Sequence, residues 1–108
     1  MKIRQWEVWK SKPHGFQNAH WFVVISGQEL CDSERSLNVN ALACFTLRGA
    51  PNPLGVVLDG ADGMSAPTIV PCTYFHGLPK ASLHDGLGQI SWERQQQIKA
   101  KIKELFRF

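Results

Sequence analysis

The chain has 108 residues, of which 44% are apolar and 19% charged. This length fits one domain, and this composition is typical of a folded globular protein and excludes a disordered one. We therefore expect a single domain over residues 1–108. The net charge of +3 is modest, but lysines and arginines concentrate near both ends, where they could form an electrostatic footprint for nucleic acid or a solvated helix face.

The sequence shows no membrane segment and no paired cysteines. No apolar run approaches the ~20 residues that span a bilayer, and none resembles a signal peptide, so the expected compartment is the cytoplasm. Cys31, Cys44 and Cys72 lack disulfide spacing and are expected to be free thiols. Cys72 and His76 could chelate a metal on a helix, but Pro71 favours a strand, so we expect no metal site and no cofactor.

The first predicted strand covers residues 3–9, which are rich in strand formers. Its period-two alternation places Trp6 and Val8 on one face, and packing is the expected role of Trp6. Trp9 lies on the other face, next to the loop that follows. It is a candidate platform for stacking a nucleic-acid base, with packing as the alternative.

A long polar loop is predicted over residues 10–19, because Pro13 and Gly15 break any regular pattern. Connections of this length between strands are often binding elements. The polar side chains that this loop offers for binding are Lys10, Lys12, Gln17 and Asn18, and it also contains His14.

Four further strands and one helix are predicted after this loop. The strands cover residues 20–26, 38–47, 54–58 and 68–75, with irregular segments over 29–36 and 76–88. Pro71 marks an edge or a bulge in the last strand. Ser91 is the expected N-cap of a terminal helix whose apolar face contains Ile98, Ile102, Leu105 and Phe106. The predicted fold is mainly β: a strongly curved antiparallel sheet or open barrel covered by a C-terminal helix.

Four segments of the chain resemble the MazF/PemK family, the ribonuclease toxins of bacterial toxin–antitoxin systems. They are QWEVWKSKP, AHWFVVIS, PLGVVLDG and LGQISWERQQQIKAKIKELF, in the family's order. The resemblance implies an SH3-like small barrel of about five strands, closed by the helix, that forms a homodimer. It also implies metal-independent cleavage of single-stranded RNA, a protein antitoxin as partner, and a role for residues 10–19 in holding the RNA.

One position departs from the family. Family enzymes commonly place an Arg before the Pro of the second strand, and a Thr or Ser near the end of the third. Alignment through residues 23–26 puts His20 at the Arg position and Trp21 at the Pro position. Strand order puts Thr46 at the Thr position, with Thr73 as the alternative.

The chemistry of RNA cleavage tests whether these residues suffice. A base must take the proton of the 2′-hydroxyl, cations must stabilise the phosphorane, and an acid must protonate the leaving oxygen. His20 can exchange protons near neutral pH but cannot copy a permanently charged Arg, which predicts weakened catalysis. The other candidates are His14 as its partner, Arg48 as the fixed charge and Thr46 as a donor to phosphate.

Each candidate also has a purely structural interpretation, such as a strand-end histidine bound to a carbonyl or an arginine paired with an acid. Two alternative functions therefore stay open: a non-catalytic module that binds RNA or a peptide, and a toxin of the gyrase-poison type. Apolar residues around Phe22, Phe45, Phe106 and Phe108 exceed the needs of one small core and predict a homodimer.

Overall fold

The computed structural model describes residues 2–107. Its strands are β1 (Glu7–Ser11), β2 (His20–Val24), β3 (Asn38–Ala43), β4 (Phe45–Thr46), β5 (Gly55–Leu58), β6 (Thr68–Pro71), β7 (His76–Pro79) and β8 (His84–Gln89). The helices are α1 (Gln28–Asp32) and α2 (Trp92–Leu105), and short 3₁₀ turns cover Gly60–Asp62 and Lys80–Ser82. None of the helices in this part of the chain has the length and apolarity needed to cross a membrane.

The strands form two antiparallel sheets. The larger has the order β7-β3-β2-β1-β8, and the smaller has the order β4-β6-β5. The mainly β fold with a C-terminal helix is thereby confirmed, although the strands number eight instead of about five. Closure of the two sheets into a barrel stays a prediction.

β2 lies at the centre of the larger sheet and contributes to the core on both of its faces. Val23 belongs to one buried cluster, which also contains Ile98 of α2. Phe22 and Val24 belong to a second cluster on the opposite face. Coverage of both faces explains the continuous apolar run of this strand.

The first strand and the loop are both shifted from their predicted positions. Strand β1 begins at Glu7, four residues later than predicted, and Trp6 adopts a left-handed backbone conformation with φ of 72°. A segment rich in strand-forming residues can precede a strand without belonging to it, because pairing with a neighbouring strand, and not propensity, determines where a strand begins. Lys10 therefore lies within β1, and the loop that precedes β2 covers residues 12–19.

Two predicted strands end early or divide. Residues 38–47 form β3 and β4, which separate at Cys44 and belong to different sheets. The strand predicted over 68–75 stops at Pro71. Pro71 is predicted to mark an edge or a bulge. β6 is the central strand of its sheet, but Pro71 pairs only with Gly55 of β5, so its other side is unpaired. Pro71 is tolerated there because it is the strand's last residue, two places beyond Ile69, where the pairing with β4 ends.

The segments predicted to be irregular contain regular structure. Residues 76–88 hold β7, which pairs with β3, and most of β8, which pairs with β1. Residues 28–32 form the single helical turn α1. Long-range pairing supplies the hydrogen bonds of these segments and overrides the local signals of Gly and Pro.

Helix α2 begins where predicted, directly after its N-cap. The Ser91 hydroxyl accepts a hydrogen bond from the Arg94 backbone N–H at 3.4 Å. Its predicted apolar face is only partly covered: Ile98 is fully buried, whereas Leu105 and Phe106 remain exposed. Phe22, expected in a surplus apolar patch, is instead fully buried in the core. Phe108, named in the same prediction, lies outside the described residues.

Candidate active site

A cleft of about 440 Å³ lies where the start of β2 meets β4, and we call it the His20 cleft. Three of the four candidate catalytic side chains, His20, Thr46 and Arg48, line it together. The remaining lining residues are Asn18, Ala19, Trp21, Cys44, Phe45 and Thr68. The fold thus gathers three candidate catalytic residues around one concave surface, although His20 and Arg48 are 28 positions apart in the sequence.

The His20 ring is held in one orientation by its neighbours. Its Nδ1 lies 3.0 Å from the backbone carbonyl oxygen of Asn18. A carbonyl can only accept, so Nδ1 must carry the hydrogen, and the neutral ring then has its free lone pair on Nε2. The rings of Phe16 and Phe45 contact His20 edge-to-face, at centroid distances of 5.0 and 5.5 Å. His20 is therefore oriented as a proton acceptor through Nε2.

Arg48 brings a fixed positive charge to the same cleft. Its side chain is exposed and takes part in none of the ion pairs or side-chain hydrogen bonds among residues 2–107. Thr46 is also exposed, and its position in β4 is fixed by pairing with Thr68 of β6. A guanidinium without an acidic partner is available to an anion such as a phosphate.

Cys44 is a cleft-lining residue of a different kind. Burial raises the pKa of its thiol to about 12, so the sulfur stays protonated at neutral pH. A protonated thiol is neither a nucleophile nor a source of charge.

At the cleft's edge, Lys10 Nζ lies 4.8 Å from the centroid of the Trp21 ring, which makes a cation–π contact.

The other predicted residues lie outside this cleft. Lys12 and His14 line a separate cleft of about 530 Å³, and Gln17 is exposed in the intervening loop. Trp9 is half-buried and donates from Nε1 to Glu7 Oε1 at 3.2 Å. Its ring packs closely on Gly86, where a Cβ would lie 3.1 Å from the ring atoms. Thr73 is exposed beyond the end of β6 and does not line the His20 cleft, which favours Thr46 as the family's Thr.

Sequence reasoning gave little weight to a row of aromatic side chains beside the cleft. Tyr74, His76 and Phe16 surround a pocket of about 190 Å³ together with Phe45, Ala43 and Pro71. We call this the aromatic pocket. Phe45 is shared with the His20 cleft, so the two concavities are contiguous. His76 and Tyr74 had no visible signal in the sequence, because only the pairing of β7 with β3 brings them here.

Among residues 2–107, no three His, Cys, Asp or Glu side chains gather closely enough to hold a metal ion.

No protein-family model and no curated protein sequence matches the chain. Solved structures do match it: the fold is that of small toxin endoribonucleases, and in particular of the MazF toxins. The resemblance drawn from the sequence is thereby confirmed at the level of the fold.

Three solved structures illustrate this similarity. One is an endoribonuclease in complex with its cognate antitoxin from a mycobacterial species, 18% identical, with a TM-score of 0.79 over 95% of this chain and 93% of that chain. Another is the Mycobacterium tuberculosis toxin MazF-mt6, 17% identical, with a TM-score of 0.76 over 93% and 95%. The third is MazE–MazF from Deinococcus radiodurans, 15% identical, with a TM-score of 0.76 over 97% and 95%.

Proposed function

We propose that this protein is a divergent MazF-type toxin, a metal-independent endoribonuclease that cleaves single-stranded RNA. The observation that carries this proposal is the His20 cleft, where a proton acceptor, a fixed cation and a hydroxyl donor face one concave surface. Residues 1–108 act as one domain in this proposal. The fold shared with toxin endoribonucleases supports it.

The cleft supplies groups for attack of an RNA 2′-hydroxyl on the adjacent phosphorus. Nε2 of His20 takes the hydroxyl proton as the 2′-oxygen bonds to phosphorus and the bond to the 5′-oxygen breaks. Arg48 and Thr46 donate hydrogen bonds to the phosphate oxygens, where negative charge develops. The 5′-oxygen takes a proton from water, and the His20 imidazolium returns its proton to water. The products carry a 2′,3′-cyclic phosphate and a 5′-hydroxyl.

This arrangement is expected to give a slow enzyme. The lining of the cleft contains no second group suited to proton transfer at neutral pH, because Cys44 is held protonated and Arg48 is always charged. His14, the candidate partner, lines the neighbouring cleft instead. Water must therefore serve as the acid, and the benefit of a positioned acid, typically 10²–10⁴-fold, is lost.

The surface around the cleft is suited to an unpaired strand. Exposed aromatic rings stack on bases that are not already paired, whereas a duplex hides its base faces. Asn18 lines the His20 cleft, Lys10 contacts the ring of Trp21 at its edge, and Lys12 lines the cleft beyond the aromatic pocket. We assign these residues, with Gln17 in the same loop, to the RNA backbone. Trp9 stays a candidate for stacking on a base.

We further propose a protein antitoxin and a second copy of the chain as partners. Solved neighbours are complexes of a toxin with its antitoxin, and this chain shares their fold. Dimerisation is supported by an exposed apolar surface on α2, where Phe106 stacks on Phe75 at 5.8 Å. The cytoplasm is the expected compartment. The three cysteines agree with this expectation, because all of them are buried free thiols.

The test is incubation of purified protein with a long unstructured RNA in EDTA, followed by mapping of the product ends. We expect discrete cuts with cyclic-phosphate and 5′-hydroxyl ends. His20→Ala should slow cleavage at least 100-fold, on the order of the contribution of a positioned base. His84→Ala is the matched control, because His84 is exposed on β8 and does not line the cleft.

The outcomes separate the candidate functions. Cuts that persist in EDTA and survive His20→Ala would keep the enzyme but contradict the proposed base. Salt-sensitive RNA binding by folded protein without any product would favour a non-catalytic module. DNA damage linked to gyrase, with no RNA product, would favour the gyrase-poison type.

A further inference from the structure

The aromatic pocket is one part of a chain of ring contacts that starts at the His20 cleft. His20 contacts Phe16 at a centroid distance of 5.0 Å, and Phe16 contacts His76 at 5.5 Å. His76 in turn contacts Tyr74 at 4.5 Å. All three contacts are edge-to-face, so in each pair the edge of one ring meets the face of the other. This series of ring contacts therefore connects the His20 cleft with the aromatic pocket.

Two of the rings that border the pocket are not explained by the core. Tyr74 is 66% exposed and Phe45 is 40% exposed, although both border the same pocket. Exposed apolar side chains scattered singly are normal, but grouped around a concave surface they mark a binding site. The pocket's volume of about 190 Å³ lies below the roughly 300–1,000 Å³ of sites for drug-sized ligands. It therefore suits a single flat ring system.

His76 gives this pocket a polar group that no described residue satisfies. Within residues 2–107 its ring nitrogens make no hydrogen bond, although the ring is half-buried against Phe22, Phe16 and Tyr74. Burial lowers its pKa, which favours the neutral ring at physiological pH. A neutral imidazole offers one donor and one acceptor, the combination that nucleobase edges also present.

We propose that the aromatic pocket is a specificity subsite for one unpaired nucleobase adjacent to the phosphate held in the His20 cleft. The base stacks on Tyr74 and Phe45, and His76 hydrogen-bonds to its edge. This inference rests on the proposed function in one respect, that the bound polymer is single-stranded RNA. Tyr74 and His76 are here residues that bind and select the base, while His20, Thr46 and Arg48 act on the phosphate.

The test measures binding separately from cleavage. Each of the four homopolymeric 2′-O-methyl heptanucleotides lacks the attacking hydroxyl, so it reports affinity alone. We expect wild type to prefer one base, and Tyr74→Ala to weaken that oligonucleotide about five- to 100-fold, the usual effect of removing a base-stacking ring. Tyr74→Phe should retain most of the affinity. His76→Phe, which keeps the ring contacts but removes both nitrogens, should reduce the preference among the four bases.

Two controls exclude a general loss of structure. Trp92→Ala removes an aromatic side chain of similar exposure, 68%, that lies outside the pocket, and should leave binding unchanged. An abasic nucleotide placed at each position of the preferred oligonucleotide should abolish the effect of Tyr74→Ala at one position only. A merely structural role for Tyr74 would give the same loss at every position.

The results distinguish this subsite from the proposed function. One outcome is that wild type cleaves RNA, while Tyr74→Ala and His76→Phe bind the oligonucleotides with unchanged affinity and base preference. This would overturn the subsite but not the endoribonuclease. Binding that depends on Tyr74 without any RNA cleavage would support the subsite and contradict the enzyme. If folded wild type binds none of the four oligonucleotides, the subsite is overturned as well.

Discussion

Arg48 is the residue that most directly replaces what the divergence at position 20 removes. A histidine can take a proton, but at neutral pH it does not provide the permanent charge of an arginine. Arg48 lines the same cleft as His20 and has no acidic partner among residues 2–107. The proposed enzyme thus separates two roles, proton acceptor and fixed cation, between a strand end and the segment after β4.

Substitution of Arg48 should affect catalysis more than RNA binding. Arg48→Ala should lower kcat about 10²–10³-fold, the usual effect of losing one group that stabilises transition-state charge. Arg48→Lys should recover part of this loss, because an ammonium keeps the charge but not the planar fork. Single-turnover cleavage assays measure the cleavage rates of both variants. The control is Arg35→Ala, because Arg35 is an exposed arginine outside the cleft. Equal rates for Arg48→Ala and Arg35→Ala would contradict the assignment.

His76 should make the stability of the protein depend on pH. Burial lowers its pKa below the ordinary 6.5, so between these two values the unfolded chain binds more protons than the folded chain. The free energy of unfolding should therefore fall as the pH drops from 6.5 through the lowered pKa. Urea denaturation at a series of pH values measures this, and His76→Phe should lose less stability over that interval. If the free energy of unfolding depends on pH identically in wild type and in His76→Phe, the lowered pKa of His76 is contradicted.

The sequence could identify part of the site but not all of it. His20 and Thr46 were identified by alignment with the strands of the family that the sequence resembles, and Arg48 by its place at the predicted end of the third strand. All three line one cleft. Tyr74 and His76 follow β6, and their neighbour Phe16 lies in a loop some 60 positions earlier, at residue 16 against 76. Only the pairing of β7 with β3 brings them together. No local pattern encodes such a pairing.

At the scale of elements, helix α2 is attached to the sheets by a buried carboxylate. Asp62 is almost fully buried and accepts hydrogen bonds from the backbone N–H groups of Ser91 and Asp59, at 3.0 and 3.1 Å. Arg94 Nε lies 3.4 Å from the same carboxylate. Burial alone raises the pKa of Asp62, but these hydrogen bonds and Arg94 outweigh it, so the pKa is lowered. One side chain thus joins the turn after β5 to the start of α2.

Replacement of this carboxylate should destabilise the fold. Asp62→Asn keeps the size but loses the charge, and we expect a loss of about 2–4 kcal/mol in the free energy of unfolding. The Asp62 contribution is present above pH 3.8 and is lost as the pH falls towards the lowered pKa. Wild type should therefore lose stability over that acid interval, and Asp62→Asn should not. Chemical denaturation measures both, with exposed Glu34→Gln expected to change stability by less than about 0.5 kcal/mol.

Sequence patterns located strands with a clear apolar pattern better than strands that rely on distant partners. The core of β2 and the start of α2 were predictable because alternation and an N-cap are local signals. β8 was not, because its sequence HDGLGQ contains two glycines and no alternation. Gly86 has a structural reason: a Cβ there would lie 3.1 Å from the Trp9 ring. A residue that weakens a strand on propensity is here what allows β8 to pack against β1.

At the scale of the whole molecule, one surface remains without a function in the RNA site. A cleft of about 570 Å³ lies beside α2, lined by Trp6, Ile25, Phe75 and Ile102, and by four polar residues, Gln5, Asn40, Lys99 and Lys103. Phe106, 48% exposed, stacks on Phe75 nearby. An apolar surface of this kind is costly to leave in water, which is the physical reason to expect a second copy of the chain there.

The oligomeric state tests this expectation. Sedimentation velocity at micromolar concentration should give a dimer for wild type, and Phe106→Asp should shift it to a monomer because a charge in an apolar contact must be desolvated. Trp92→Asp is the control, because Trp92 is an exposed aromatic residue at the opposite end of α2 from Phe106. A monomeric wild type, or a Phe106→Asp variant as dimeric as the control, would contradict the expectation.

The order of strands in the larger sheet also bears on how the protein is made. β1 pairs with β2, which follows it closely, and with β8, whose Gly88 lies opposite Val8. This second pairing cannot form until most of the chain has been synthesised. A nascent polypeptide therefore carries an unpaired strand edge that can bind other chains. We expect chaperone dependence during translation, and no activity before β8 has emerged from the ribosome.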